Sequence, residues 1–191
     1  MLAEAHTAQR RCAVRVRGTV QGVGFRPFVH QLASELGLDG WVLNDADGVL
    51  AEVQGPDAAV QQFLHRLRTD APPLARVESV EVTAQAPAAV GAGFGIRASR
   101  GGAVKTAVPA DAATCDACLQ ELFDPADRRH RYAFINCTQC GPRYTLTHRL
   151  PYDRAQTSMA PFPLCPACQR EYTSPLDRRF HAEPNACPVC G

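Results

Sequence analysis

The sequence predicts an α+β protein in two unlike parts: a ferredoxin-like βαββαβ domain, then a small cysteine-rich module. Three observations predict it. Up to residue 84 the apolar residues switch between a period of 2 and a period of 3.6, in that order of elements. Between residues 99 and 110 the chain is rich in Gly and Ala, and beyond it aliphatic residues give way to Cys, Pro, Arg and aromatics. Eight of the nine cysteines lie in this second part, as four C-x-x-C pairs.

The elements follow in order. Residues 1–10 lack the apolar core of a signal peptide and read as a mobile tail. Ala13-Val14-Arg15-Val16-Arg17 alternates, which predicts a strand over 11–20. Apolar periodicity from Phe28 to Leu36 predicts a helix over 27–37, with Pro27 in its first turn. Residues 40–44 form a second strand and 49–54 a third, joined at Asp45-Ala46-Asp47-Gly48 by an Asp-Gly hairpin turn. Gly55-Pro56-Asp57 opens a second helix with Asp57 as its cap and Val60, Phe63, Leu64 and Leu67 as its apolar face; Pro72-Pro73 ends it. A fourth strand runs over 76–84, with Val77, Val80 and Val82 as its apolar positions, and 94–98 makes a short fifth. These elements give a domain at 11–98, a linker at 99–110 and the cysteine-rich module at 111–191.

The turn between the first strand and the first helix carries three glycines, Gly18, Gly22 and Gly24, and then Arg26. Glycines at a strand-to-helix turn let backbone N–H groups converge into an anion nest. A cation at the positive end of a helix dipole is unfavourable unless an anion sits between it and the amides. Arg26 therefore points to a phosphate-like ligand. The spacing is neither that of a dinucleotide fingerprint nor that of a Walker loop. Cys12, alone on the first strand, reads as a buried small hydrophobe.

The cysteines fall into two copies of C-x2-C-x18-C-x2-C at an offset of fifty residues. Glu121, Pro125, Asp127, Arg128, Arg129 and Gly141 recur as Glu171, Pro175, Asp177, Arg178, Arg179 and Gly191. Four thiolates at that spacing form a structural zinc site, closed to substrate. Two zinc ions are expected, on Cys115, Cys118, Cys137 and Cys140 and on Cys165, Cys168, Cys187 and Cys190, with pairing within each repeat preferred because it closes shorter loops. The histidines are scattered and none is needed as a ligand. A module with so few aliphatics needs the metal to fold.

Charge narrows the partners. The net charge is +1. Residues 111–191 hold nine arginines against nine acids, and eight thiolates around two zinc ions would make the loaded module acidic. That disfavours nucleic acid; the arginines are expected to hold the fold or face a neighbouring domain. No apolar run reaches membrane-spanning length, so no membrane partner and a cytoplasmic location are expected.

The run G-T-V-Q-G-V-G-F-R-P-F-V-H resembles the phosphate loop of acylphosphatases, whose fold has the same element order. With N-D-A-D-G-V, N-C-T-Q-C-G-P-R-Y-T, D-R-R-F-H-A-E-P-N-A-C-P-V-C-G and the tandem cysteine spacing, the whole pattern resembles the N-terminal part of HypF-type carbamoyltransferases of [NiFe]-hydrogenase maturation. The resemblance implies that Gln21, Gly22, Val23, Gly24, Phe25 and Arg26 bind the phosphate of carbamoyl phosphate. It implies that Arg26 and Asn44 are catalytic, with Asn44 orienting water. It also implies ATP-dependent carbamoyl transfer to a HypE-type partner, with ATP used by domains that follow in longer proteins of this type. Two alternatives are a stand-alone acylphosphatase and a non-catalytic acyl-phosphate-binding module with a zinc interaction scaffold.

Overall fold

The structure is a computed structural model and describes residues 8–88, 91–101 and 109–191. The first part holds strands β1 (Gln9–Thr19), β2 (Asp39–Asp45), β3 (Gly48–Pro56), β4 (Arg76–Gln85) and β5 (Phe94–Ile96), with helices α1 (Phe25–Glu35) and α2 (Asp57–Thr69). The sheet order is β4-β1-β3-β2-β5, with β5 parallel to β2 and the other pairs antiparallel.

The alternation in β1 explains its two faces. Cys12, Val14 and Val16 are buried against α1 and α2, where Val29, Leu32, Val60, Phe63 and Leu67 complete the core. Arg11, Arg15 and Arg17 point to the other face and pair with Glu52, Asp45 and Glu81. That face stays polar without a layer above it.

Several boundaries differ from the sequence reading. β1 starts two residues early, because Ala8 accepts the Asp57 N–H and the strand continues along β3 to Pro56. The end of the expected tail, from Gln9, thus lies inside the sheet, and its residues 1–7 lie outside the described residues. Asp57 is not the cap of α2: Pro56 holds that position without a side-chain bond, and the Asp57 carboxylate accepts from Arg10 and Gln61 instead. α2 ends at Thr69, ahead of Pro72. The expected linker starts as packed chain, since Arg100 N–H donates to Asn44 O; its residues 102–108 lie outside the described residues.

In the second part each repeat has a short helix after its first cysteine, α3 (Asp116–Phe123) and α4 (Pro166–Thr173). The repeat reaches the backbone: Arg131 and His181, fifty residues apart, both have positive φ. The segment between the repeats, 142–164, lays Tyr152 and Asp153 against the first part. Gln31 Nε2 donates to Pro175 O, and Phe180 meets His30 edge-on with ring centroids 5.3 Å apart. No helix is long and apolar enough to cross a membrane among the described residues.

Candidate functional site

The glycine turn leads straight into α1. Gly22 and Gly24 have φ of 73° and 76°, and Gly24 caps the helix. That left-handed backbone is open to glycine and costly for other residues. The N–H groups of Gln21, Gly22, Val23, Gly24 and Phe25 meet no acceptor among the described residues. Five unpaired donors at a helix N-terminus are an arrangement that can receive an anion. Gln21 braces it from within. Its buried side chain donates to Asp45 O at 2.6 Å and Gly48 O at 2.9 Å and accepts from the Tyr152 N–H at 3.1 Å.

Arg26 does not face solvent. It is 7% exposed and lies under the second part of the chain. Nη1 donates to Asp153 Oδ1 at 2.9 Å and Ser99 Oγ at 3.2 Å; Nη2 donates to Glu183 Oε1 at 2.8 Å and Tyr152 O at 3.1 Å. Four of its five hydrogens are thus committed, which leaves Nε–H. Glu183 is buried, and Oε2 also accepts from Tyr172 Oη at 2.8 Å and Arg154 N–H at 2.9 Å. Burial pushes the Glu183 carboxyl up, and the Asp153 charge adds to that, against the pull of Arg26. Burial and the Arg26 charge hold the His181 imidazole down, at about 4.

Asn44, at the end of β2, is buried beside this group. The loop, Arg26, Asn44, Asn136, Tyr152, His181 and Glu183 line one cavity of about 20 Å³. That is room for about one water. Two of its lining residues hold a buried side-chain oxygen with no hydrogen-bond partner among the described residues, Asn44 Oδ1 and Asn136 Oδ1. Buried polar groups are nearly always paired, so two orphans around one cavity mark a place for a polar ligand.

The cysteines form two local quartets, Cys115, Cys118, Cys137 and Cys140, and Cys165, Cys168, Cys187 and Cys190; within each, all Sγ atoms lie within 4.8 Å of one another. A tetrahedral zinc with Zn–S near 2.3 Å sets an S···S edge of about 3.8 Å. The edges Cys115–Cys137, Cys137–Cys140, Cys165–Cys187 and Cys187–Cys190 are 3.6, 3.8, 3.8 and 3.8 Å. Both quartets therefore fit zinc.

The paired arginines cross between the repeats. Arg129 donates to Cys168 Sγ, Glu171, Asn185 and Ala186 O of the second repeat. Arg179 pairs with Glu121 and donates to Asn136 O of the first, while Arg178 reaches Cys118 Sγ at 2.9 Å. They hold the fold, and each quartet is finished by the other repeat.

Of the residues the sequence reading named, Gly22, Gly24, Phe25, Arg26 and Asn44 line this cavity and Gln21 braces it, while the Val23 side chain is buried in the core of the first part. It missed Asn136, Tyr152, Asp153 and Glu183. A signal was present. Asn136 and Glu183 stand where the other repeat has Ala186 and Ala133, and Tyr152 and Asp153 lie between the repeats. His30 lies off the cavity, stacked between Phe94 and Phe180.

An anion nest on a βαββαβ domain, walled by paired four-cysteine modules, defines an acylphosphatase fold joined to zinc fingers. The acylphosphatase family model matches residues 12–96, and the HypF finger model matches 114–147 and 164–191. The chain belongs to the acylphosphatase family and carries the tandem fingers of HypF-type carbamoyltransferases. It is 57% identical over 178 residues to the carbamoyltransferase HypF of Rhodobacter capsulatus, covering 93% of this chain and 24% of that protein. It is 46% identical over 92 residues to an acylphosphatase of Rhizobium meliloti, covering 47% of this chain and 96% of the relative. A crystal structure of full-length HypF in its phosphate- and nucleotide-bound form superposes with a TM-score of 0.92 at 42% identity, over 96% of this chain and 24% of that one. The chain thus spans about a quarter of the length of the HypF proteins it matches.

Proposed function

We propose that residues 11–98 hydrolyse an acyl phosphate, with carbamoyl phosphate as the substrate, and that residues 111–191 are a zinc-held wall of the same site. The nest and Arg26 bind the phosphoryl group. Asn44 holds a water on the side of phosphorus away from the acyl oxygen. The water oxygen bonds to phosphorus, the bond from phosphorus to the acyl oxygen breaks, and carbamate leaves; the water protons pass to phosphate and solvent. The acyl oxygen is a good leaving group, so positioning and charge stabilisation suffice. Two zinc ions on the cysteine quartets hold the wall together and take no part in the reaction. In longer proteins of this type the carbamoyl group would pass, with ATP, to a HypE-type partner.

The observation that carries this reading is the Asn44 amide oxygen, buried in a water-sized cavity beside five N–H groups, all without a partner among the described residues. The test is phosphate release from carbamoyl and acetyl phosphate by the zinc-loaded chain. Asn44→Ala is expected to lower kcat about a hundredfold, as loss of one orienting bond does, while inorganic phosphate still binds. Equal turnover in parent and variant would end the water-holding role. A second reading, binding without turnover, is favoured by the commitment of all four Nη hydrogens of Arg26 within the chain, which leaves Nε–H alone for a ligand; phosphate bound but never released from an acyl phosphate would establish it.

A further inference from the structure

We propose that Asn136, on the first zinc repeat, selects the acyl group: its side-chain oxygen accepts a hydrogen bond from the amide N–H of a carbamoyl phosphate. This rests on the acyl-phosphate reading above and adds that the second module sets the substrate.

The amide orientation is fixed. Asn136 Nδ2 donates to Gly141 O at 3.3 Å, so Oδ1 is the free end, and it is buried without a donor. The residue is 3% exposed and lines the cavity shared with the nest and Asn44. Its segment sits on the loop itself: a Cβ added to Gly24 would lie 3.1 Å from Thr138 Cβ.

The repeat separates function from fold at this position. Arg179 Nε donates to Asn136 O at 3.0 Å, and at the matching place Arg129 Nε donates to Ala186 O at 2.9 Å. The structural task is met by a backbone carbonyl in both copies, and an alanine suffices in the second. The Asn136 amide nitrogen serves the fold through Gly141 O, but the amide oxygen has no structural partner and is held desolvated at a cost of about 1–3 kcal/mol if unpaired.

The chemistry of the orphan narrows its partner. An amide oxygen only accepts. A phosphate dianion has nothing to offer it, and the methyl of acetyl phosphate has nothing either. The NH2 of a carbamoyl group supplies two donors. A site built to pair such a donor penalises the isostere that lacks it, because its own polar group is then stranded. To enter, the phosphoryl group must replace Glu183 on Arg26, since the cavity now holds about one water.

The test uses two stable isosteres that differ only in NH2 against CH3: phosphonoacetamide and acetonylphosphonate. Each is titrated into the zinc-loaded 191-residue protein. The amide is expected to bind about tenfold tighter, and Asn136→Ala is expected to erase that ratio and to lower the carbamoyl-to-acetyl ratio of kcat/KM about tenfold. Native mass spectrometry confirms two metals in the variant. Should the variant lose metal, the parent's preference between the isosteres decides alone. Equal binding of the two by a parent that hydrolyses acetyl phosphate overturns the role of Asn136 and leaves the hydrolase reading standing. No binding of either, with no hydrolysis, removes the site reading and this inference together.

Discussion

Replacing Arg129 by Met should release zinc from the other repeat. Arg129 belongs to the first quartet's repeat in sequence, but its guanidinium lies in the second. It is 2% exposed and bridges Glu171, Cys168 Sγ, Asn185 Oδ1 and Ala186 O. Burial raises the Glu171 carboxyl, but the Arg129 and Arg128 bonds outweigh it and hold it down, at about 2. Met fills a similar volume and leaves that carboxylate with Arg128 and a long bond from Asn185 Nδ2, and the Ala186 carbonyl loses its donor. Breaking a buried pair from one side costs about 3–5 kcal/mol. Because the stranded groups flank Cys168 and Cys187, the loss falls on the second quartet. At 1.4 kcal/mol per tenfold, about 3 kcal/mol is roughly a hundredfold in zinc affinity. Chelator competition with cysteine alkylation, read by peptide mass spectrometry, resolves the two quartets. Cys165, Cys168, Cys187 and Cys190 should become reactive first. Prior or equal labelling of Cys115 and Cys118 would show that the arginine serves its own repeat, and the crossed arrangement would be refuted.

Three further outcomes are expected. Glu183→Gln removes a charge that competes for Arg26, so inorganic phosphate should bind about tenfold tighter by calorimetry; weaker binding would mean that Glu183 holds Arg26 in place for the anion. His181 is kept neutral in the fold at about 4 against roughly 6.5 unfolded, so the unfolded chain binds the extra proton and stability should fall as pH drops from 6.5 to 4. His181→Asn, which tolerates the positive φ, should flatten that part of the parent's urea-unfolding profile; identical slopes would dismiss the histidine. Chelation should expose the amides of 111–191 to hydrogen exchange while those of β1 and β3 stay protected, since structural zinc contributes on the order of 10 kcal/mol to its own module; parallel loss of protection in the sheet would show one cooperative unit.

The fold of the first part was legible because each element carries its own period. Val14 and Val16 alternate toward α1 and α2, and Val60, Phe63 and Leu67 recur on one face of α2. The quartets were legible from spacing alone, since each pairs within its own repeat. Asp57 failed as a cap because a long-range partner, Arg10, competed for its carboxylate. The docking of the second part on Arg26 was illegible by the same logic. Asp153 and Glu183 lie 127 and 157 residues from Arg26, and no local pattern encodes such a contact. Its trace is the broken symmetry of the repeat. Where both copies serve the fold, Arg129 and Arg179 match; where the copies meet the cavity, Asn136 faces Ala186 and Glu183 faces Ala133 across the alignment.

The loop glycines record the same union. Their positive φ alone would explain Gly22 and Gly24 in a free-standing anion nest. Here a second constraint is added from outside the first part. A Cβ on Gly22 would stand 2.7 Å from Pro142 Cβ and 3.3 Å from Tyr152 Cδ1, and one on Gly24 would press on Thr138. The chain that presses there carries Asn136 and Cys137 on one side and Tyr152 and Asp153 on the other, and all but Asp153 line the cavity. The glycines therefore admit the zinc-bearing module to van der Waals contact with the nest. Close approach places buried acceptors on the same water-sized cavity as the glycine turn, in a low-dielectric setting where each hydrogen bond counts for more than in water. A helix N-terminus and an arginine can bind many phosphates. What distinguishes one acyl phosphate from another must come from the groups around the acyl end, and on the proposed reading those groups are supplied by the module that holds the cysteine quartets.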